Sequence, residues 1–425
     1  MTKIPSRQVL SPKTIRGAFF APRNGTVTFI RDGLLKIDAS GRISDWSGDA
    51  SGSSEPITSP ECVWMPGFVD THVHFPQTRV TGRSSGELLP WLEQTVFPEE
   101  SRFNDASYAR DVAREFCLKL IQNGTTCASI YGSSHMEATE ILFEALAEIG
   151  LRGQAGPTLM DQGAPAAICV PAKEAIEGCE RLIQKWHQFD EGRLQFVITP
   201  RFALSCSREL LKKAGELAVK YQLPIQTHLS ENHGEIRAVK ELYPEHADYL
   251  SVYDSFGLCN ERSLFGHCVH LTDQEWDQIQ IKRAAIAHCP DSNFFLGSGV
   301  FPLKKAQNKN IKVGLGSDVG AGRTFNMRRI ASKAYDASLL SQGRMRPDEL
   351  LWLATAGGAE ALGLQNYIGR IEKGYDADLI AISVGQETRP DVMLDQILFQ
   401  ADLTPVVTTL VRGSILFQTP QRFKG

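Results

Sequence analysis

The sequence predicts an α/β protein: a (β/α)₈ barrel carrying a small β-domain contributed by both chain ends. Three observations lead there. Between residues 67 and 364, short β-like runs alternate with amphipathic helical runs. The β-like runs number eight, which is the count that closes such a barrel. Outside that span, at 1–66 and 365–425, the pattern changes to short strands joined by Gly and Asp turns.

The barrel strands are read in order as "GFVDTHVH" (67–74), "TTCASIY" (125–131), "LRGQAGPTL" (151–159), "LQFVITPRF" (194–202), "PIQTHLS" (224–230), "SLFGHC" (263–268), "AAIAHCP" (284–290) and "KVGLGSD" (312–318). Helices fall between them. "DVAREFCLKLIQNG" ends at Gly124, a stop signal, and "SRELLKKAGELAVKYQ" begins at Ser207, a plausible N-cap. Strand–helix alternation of this kind makes parallel βα units. At the ends, "GTVTFIRDGLLKIDASGRISDW", "GRIEKGYDADLIAI" and "PVVTTLVRGSILF" supply the strands of the small domain. Neither end is long enough to fold alone, so the two are expected to pair.

Composition narrows the function classes. Lys+Arg 45 against Asp+Glu 49 leaves a net charge of −4, which offers no attraction for nucleic acid or an anionic membrane. No apolar run approaches the length of a membrane span. The opening "MTKIPSRQVLSPKTIRG" lacks the apolar segment of a secretory signal. Nine cysteines with no C-x-x-C pair argue against a disulfide framework and for a reducing compartment, and cytoplasmic localisation is expected.

Barrel enzymes gather their chemistry at the C-terminal ends of the strands. His72 and His74 end strand 1. Arg201 and Phe202 end strand 4. His228 ends strand 5, with Glu231 three residues on. His267, His288 and Asp318 end strands 6, 7 and 8. Five of the ten histidines therefore fall on one rim. On a strand, residues i and i+2 face the same way, so His72 and His74 aim at one point. Burying both without a partner is costly, and a metal ion would use them. Three neutral imidazoles and the Asp318 carboxylate suit zinc with an open position for water; Fe(II) or Mn(II) would also fit. Alone, Glu231 reads as a helix N-terminal carboxylate favoured by the dipole; three residues after a ligand it reads as a general acid/base. His267 reads as a site residue, against a core histidine. His288 is equally consistent with packing. His135, His187, His233, His246 and His270 read as surface or packing residues. A deaminase scheme built on H-x-E with P-C-x-x-C fails, because "HME" occurs at 135–137 but P-C-x-x-C is absent.

Quoted in order, "PGFVDTHVH", "THLSE", "FGHC" and "GLGSD" on this framework resemble the amidohydrolase superfamily. More specific pieces resemble its guanine deaminase branch: "THVHFPQ", "LLPWLEQTVFPEE", "PRFALSCS", "THLSEN", "ELYPEHADYLSVYDSFGL" and "AHCPDSN". The resemblance spans essentially the whole chain. "FGHC" and "GSDVGAG" depart from the branch's more usual "AHG" and "GTDVGGG", but both keep His267 and Asp318. The resemblance implies a distorted (β/α)₈ TIM barrel with a small β-sandwich domain built from both termini. It implies one zinc on His72, His74, His228 and Asp318, with catalysis by Glu231, His267 and Asp318. It implies a purine pocket of Gln77, Trp91, Arg201 and Phe202, completed by His228, Glu231 and Asp318. The implied activity is hydrolytic deamination of guanine to xanthine and ammonia by a zinc-activated water, in a homodimer. A deaminase of a related purine or triazine-like ring is the alternative. A scaffold that has lost catalysis would have lost ligands, and none is missing here. A purely structural oligomerisation domain has no feature in its favour.

Overall fold

The computed structural model describes residues 13–84 and 86–419. Parts of the stretches assigned above to the small domain, 1–12 and 420–425, lie outside the described residues, and so does most of the opening segment tested for a secretory signal.

The chain begins with β1 (Lys13–Arg23), β2 (Thr26–Ile37), β3 (Ile43–Ser47) and β4 (Cys62–Pro66). The barrel strands follow: β5 (Phe68–His74), β6 (Thr125–Tyr131), β7 (Arg152–Gly156), β8 (Thr158–Leu159), β9 (Leu194–Phe196), β10 (Thr199–Pro200), β11 (Ile225–Leu229), β12 (Ser263–His267), β13 (Ala285–His288) and β14 (Lys312–Leu315). The chain closes with β15 (Leu379–Ser383), β16 (Val406–Val411) and β17 (Ser414–Gln418).

All eight predicted barrel strands are present. Two of them differ in detail, because each breaks into a pair. "LRGQAGPTL" divides at Pro157, which has no N–H to give a ladder. "LQFVITPRF" divides at Val197 and Ile198, whose amides leave the regular pattern to reach the Ala155 and Pro224 carbonyls. The barrel is distorted as a result. It consists of two parallel arcs, β5-β6-β7-β9 and β11-β12-β13-β14, with β8 and β10 pairing on their own. A bridge from Ile198 to Ile225 joins the arcs on one side. On the other, Asp318 donates its amide to His72 O at 2.7 Å and His74 donates to Val319 O at 3.0 Å. The seam between strands 1 and 8 is thus made by the candidate ligands' own backbones.

Helices cover the barrel where the sequence places them. Asp105 caps the helix Ala106–Gln122, and Ser207 caps Arg208–Tyr221 by accepting from Leu210 N. Phe116, Leu120, Leu142, Phe143, Trp186 and Phe196 are fully buried between helices and strands. Each such side chain contributes about 1.5–3 kcal/mol by leaving water.

The two ends form one seven-stranded sheet in the order β17-β16-β15-β4-β1-β2-β3. It has a core of its own, made by Ile15, Phe19, Leu35, Ile37, Trp64, Leu379 and Leu410. Its other side, with Val63, Met65, Ile380 and Val411, joins the barrel core. Between β5 and the first barrel helix runs a string of short helical turns, Phe75–Val80 and then Leu88–Asn104 without interruption. Pro90 and Pro98 each remove a backbone donor there. The turn between them, Leu92–Val96, is wound wide as a π-helix.

Candidate active site

β5 delivers His72 and His74 to the C-terminal rim, with a bulge between Asp70 and Val73 in its pairing with β6. Two glycines make room for His72. A Cβ at Gly266 would lie 2.7 Å from its ring, and one at Gly316 2.6 Å from its Cβ. The "FGHC" and "GLGSD" stretches therefore serve as close-approach positions as well as carriers of His267 and Asp318. Past the strand ends the backbone turns sharply. Ser230, His267, Cys268 and Asp318 all have positive φ, between 49° and 68°. For residues other than glycine this is strained and tends to mark functional sites.

The imidazole nitrogens converge. His72 Nε2 lies 3.2 Å from His74 Nε2, which lies 3.3 Å from His228 Nε2. Asp318 Oδ1 is 3.3 Å from the first and 3.2 Å from the second. Ligands about 2.0–2.1 Å from a tetrahedral ion stand about 3.3 Å apart, so these spacings suit a transition metal. A looser grouping of His72, His228, His267 and Asp318 holds within 4.8 Å. His74 Nε2, at 3.2 Å, stands nearer to Asp318 than His267 Nε2 does at 3.7 Å.

Protonation points the same way. Burial lowers the pKa of His72, of His74 to about 4, and of His228 to well below the usual histidine value. All three are neutral near pH 7 and keep a lone pair for a ligand. Burial works to raise Asp318, but the adjoining His72 and His74 rings outweigh it and hold the carboxyl well below the ordinary range. His228 commits Nδ1–H to the Arg201 carbonyl at 2.6 Å, which leaves Nε2 facing the cluster.

Glu231 and His267 adjoin this group. His267 Nε2 is 3.5 Å from Glu231 and 3.7 Å from the second oxygen of Asp318. Its Nδ1 is 2.9 Å from Asn293 Oδ1, so Nδ1–H donates there and Nε2 is left as an acceptor. Burial, with Asp318 nearby, pushes the Glu231 carboxyl up to about 8. It therefore holds a proton near neutral pH. Ser298 donates to its Oε1 at 3.0 Å. Beneath it, Glu235 accepts from the Glu231 backbone amide at 2.9 Å and from the Tyr249 hydroxyl at 2.9 Å.

A pocket opens over the cluster, and Gln77, Trp91, Arg201 and Phe202 all line it. Leu88, Leu92 and Leu296 complete its apolar walls. Trp91 anchors its ring nitrogen on the Arg83 carbonyl at 2.7 Å and presents its body to the cavity. One carboxylate joins the two polar readers: Glu100 accepts from Gln77 Nε2 at 3.1 Å and from Arg201 Nη1 at 2.7 Å.

His288 stands apart from the cluster. It is fully buried, packs its ring 4.8 Å from Phe301, and has no partner for either nitrogen among the described residues. His135, His187, His233, His246 and His270 do not line the pocket.

Sequence reasoning did not single out Glu100, Glu235, Asn293, Ser298 or the leucine walls. Leu88, Trp91 and Leu92 stand at i, i+3 and i+4, a helical stripe that signals a shared face. Glu235, three residues after Asn232, is the carboxylate of a helix capping box; nothing of that kind marks Glu100.

The Amidohydrolase family model matches residues 63–416. Guanine deaminase of Escherichia coli is 38% identical over 96% of this chain and 96% of its own. Its solved structure superposes with a TM-score of 0.91, covering 96% of this chain and all of that one. The guanine deaminase of C. acetobutylicum, solved with guanine bound in the active site, gives a TM-score of 0.90 at 30% identity, covering 96% of this chain and all of that one.

Proposed function

The chain belongs to the amidohydrolase family, and on that premise we propose that it is a guanine deaminase, converting guanine and water to xanthine and ammonia. One observation carries the reading. The His/Asp cluster and the protonated Glu231 share a single buried pocket with Arg201 and Gln77, flanked by Phe202 and Trp91.

We assign His72, His74, His228 and Asp318 as holders of a divalent metal, zinc by the chemistry of the donors, with Fe(II) or Mn(II) also admitted. When bound, such an ion supplies a water ionised near neutral pH as the nucleophile. The protein's groups do the rest. Phe202, Trp91 and the leucines cover a planar ring and exclude water. Arg201 has donors only, so it reads the carbonyl at purine position 6. Gln77 keeps one N–H and one lone pair for the ring edge. Adenine would set an amine against Arg201, and an unpaired buried polar group costs roughly 1–3 kcal/mol. Glu231 gives its proton to N3 as C2 is attacked, then carries the water's proton to the departing amine. His267 Nε2 and Asp318 orient the attacking oxygen.

The homodimer implied by the resemblance and a cytoplasmic setting belong to this proposal. What supports the latter is the set of nine cysteines with no C-x-x-C pair. Purified protein incubated with guanine, adenine, cytosine and 8-oxoguanine should release ammonia from guanine by far the fastest. A clear preference for another ring would overturn the reading.

A further inference from the structure

Glu100 closes the turn Phe97–Glu100, one of those that build the pocket wall. It is 5% exposed and does not itself line the pocket. Its two oxygens are each used, one by Gln77 and one by Arg201. A carboxylate only accepts, so it compels the Gln77 amide to turn its NH₂ inward. The Gln77 oxygen then accepts from Gly320 N at 3.1 Å. Glu100 and the Gly320 amide together thus fix which way round the Gln77 amide lies. Glu100 also sets its negative charge against the Arg201 guanidinium, which packs over the Phe97 ring and against Met160 Sδ. Of the other titratable groups around the pair, burial lowers the pKa of His135 and His74 and raises that of Tyr131, so all three are uncharged near pH 7.

Without Glu100, Arg201 would present an uncompensated cation in a dry pocket, and anions would bind there preferentially. Guanine is neutral near pH 7. Xanthine loses a ring proton more readily and is partly anionic under the same conditions. We propose that Glu100 is a positioning residue that makes this pocket select neutral 6-oxopurines over their anions, so that ionised product is held weakly. The proposal rests on the guanine deaminase reading for its biological sense. The charge selection itself needs only that purines bind.

Direct calorimetric titration of the metal-loaded enzyme tests it, with xanthine and hypoxanthine in mildly alkaline buffer, where the first is largely anionic and the second largely neutral. In Glu100→Gln the Kd ratio of xanthine to hypoxanthine should fall roughly 10- to 100-fold, as expected for removing one charge several ångströms from the ligand at an effective dielectric near 20. Glu100→Gln combined with Arg201→Gln should return the ratio close to wild type. Arg201→Gln alone, with Glu100 left uncompensated, should move the ratio the other way, and this arm stands even if Glu100→Gln folds poorly. Equal shifts for both ligands would reduce Glu100 to a structural role and overturn the proposal, as would a gain for xanthine that persists without Arg201. Ammonia release from guanine by the wild type is scored separately. If that fails while the ratio shifts as stated, the functional reading falls and the charge selection stands.

Discussion

Two clusters of buried charged and titratable groups lie at opposite ends of the barrel, and they resolve the cost of burial in opposite ways. At the N-terminal end, Arg152 opens β7 and donates to Asp378 at 2.8 Å and to Asp376. Arg412, from the turn after β16, donates to Asp376 at 3.1 Å and to the Asp190 and Glu191 carbonyls at 2.8 and 3.0 Å. Burial works against the Arg152 charge, but Asp378 and Asp376 outweigh it and raise its pKa. Positive and negative groups are matched there, and the match joins the barrel to the β-sheet of the chain ends. At the C-terminal end, three neutral imidazoles point lone pairs at one another and at a carboxylate, and His267 Nε2 has no hydrogen-bond partner among the described residues. Paired buried charges hold a structure together, whereas convergent acceptors call for a cation from outside. This matches the general division of such barrels into a stability face and a reaction face.

The contrast can be broken at four points. The largest effect is expected from His74→Ala. Metal content by elemental analysis should fall from about one per chain to little. Guanine turnover should drop by more than the roughly 10- to 100-fold that loss of a mere supporting partner costs. Full activity without metal would remove the reaction face from the comparison. Next comes Glu231→Gln, which keeps shape and cannot deliver the proton. Here kcat should fall by roughly 10²–10⁴ with metal content and guanine affinity retained. Turnover within a few-fold of wild type would show that another group moves the proton.

The third point lies at the other end. Arg152→Ala strands two buried carboxylates and should lower unfolding stability by about 3–5 kcal/mol in denaturant titration. The folded fraction should keep kcat within a few-fold. A large catalytic loss without a stability loss would mean the two ends are not separable. The smallest effect is expected from Arg201→Ala. A hydrogen bond to a charged group contributes about 1.5–3 kcal/mol, so kcat/KM for guanine should fall roughly 10- to 150-fold. For 2-aminopurine, which lacks the 6-oxygen, the loss should be much smaller. Equal losses would make Arg201 a structural partner of Glu100 and nothing more.

What the sequence by itself determined follows from short-range regularities. Period two along a strand sent His72 and His74 to one point. Strand ends share a rim, which brought His228, His267 and Asp318 to the same place, with Glu231 one turn away. The end of strand 4 put Arg201 and Phe202 on that rim, resemblance added Gln77 and Trp91 and the purine-pocket role, and the structure lines one pocket with all four. The breaks in "LRGQAGPTL" and "LQFVITPRF" were half legible, since Pro157 announces the first and nothing announces the second. Only the tertiary structure decided which distant groups meet. Glu100 finds Gln77 and Arg201 across 23 and 101 residues, and Arg152 finds Asp376 and Asp378 across 224 and 226. Asn293 sets the His267 tautomer from the helix after the next strand. The chain has 49 acidic residues, and a carboxylate carries no periodicity that reveals its partner. The pairing depends on where loops and short helical turns come to rest, and packing alone sets that.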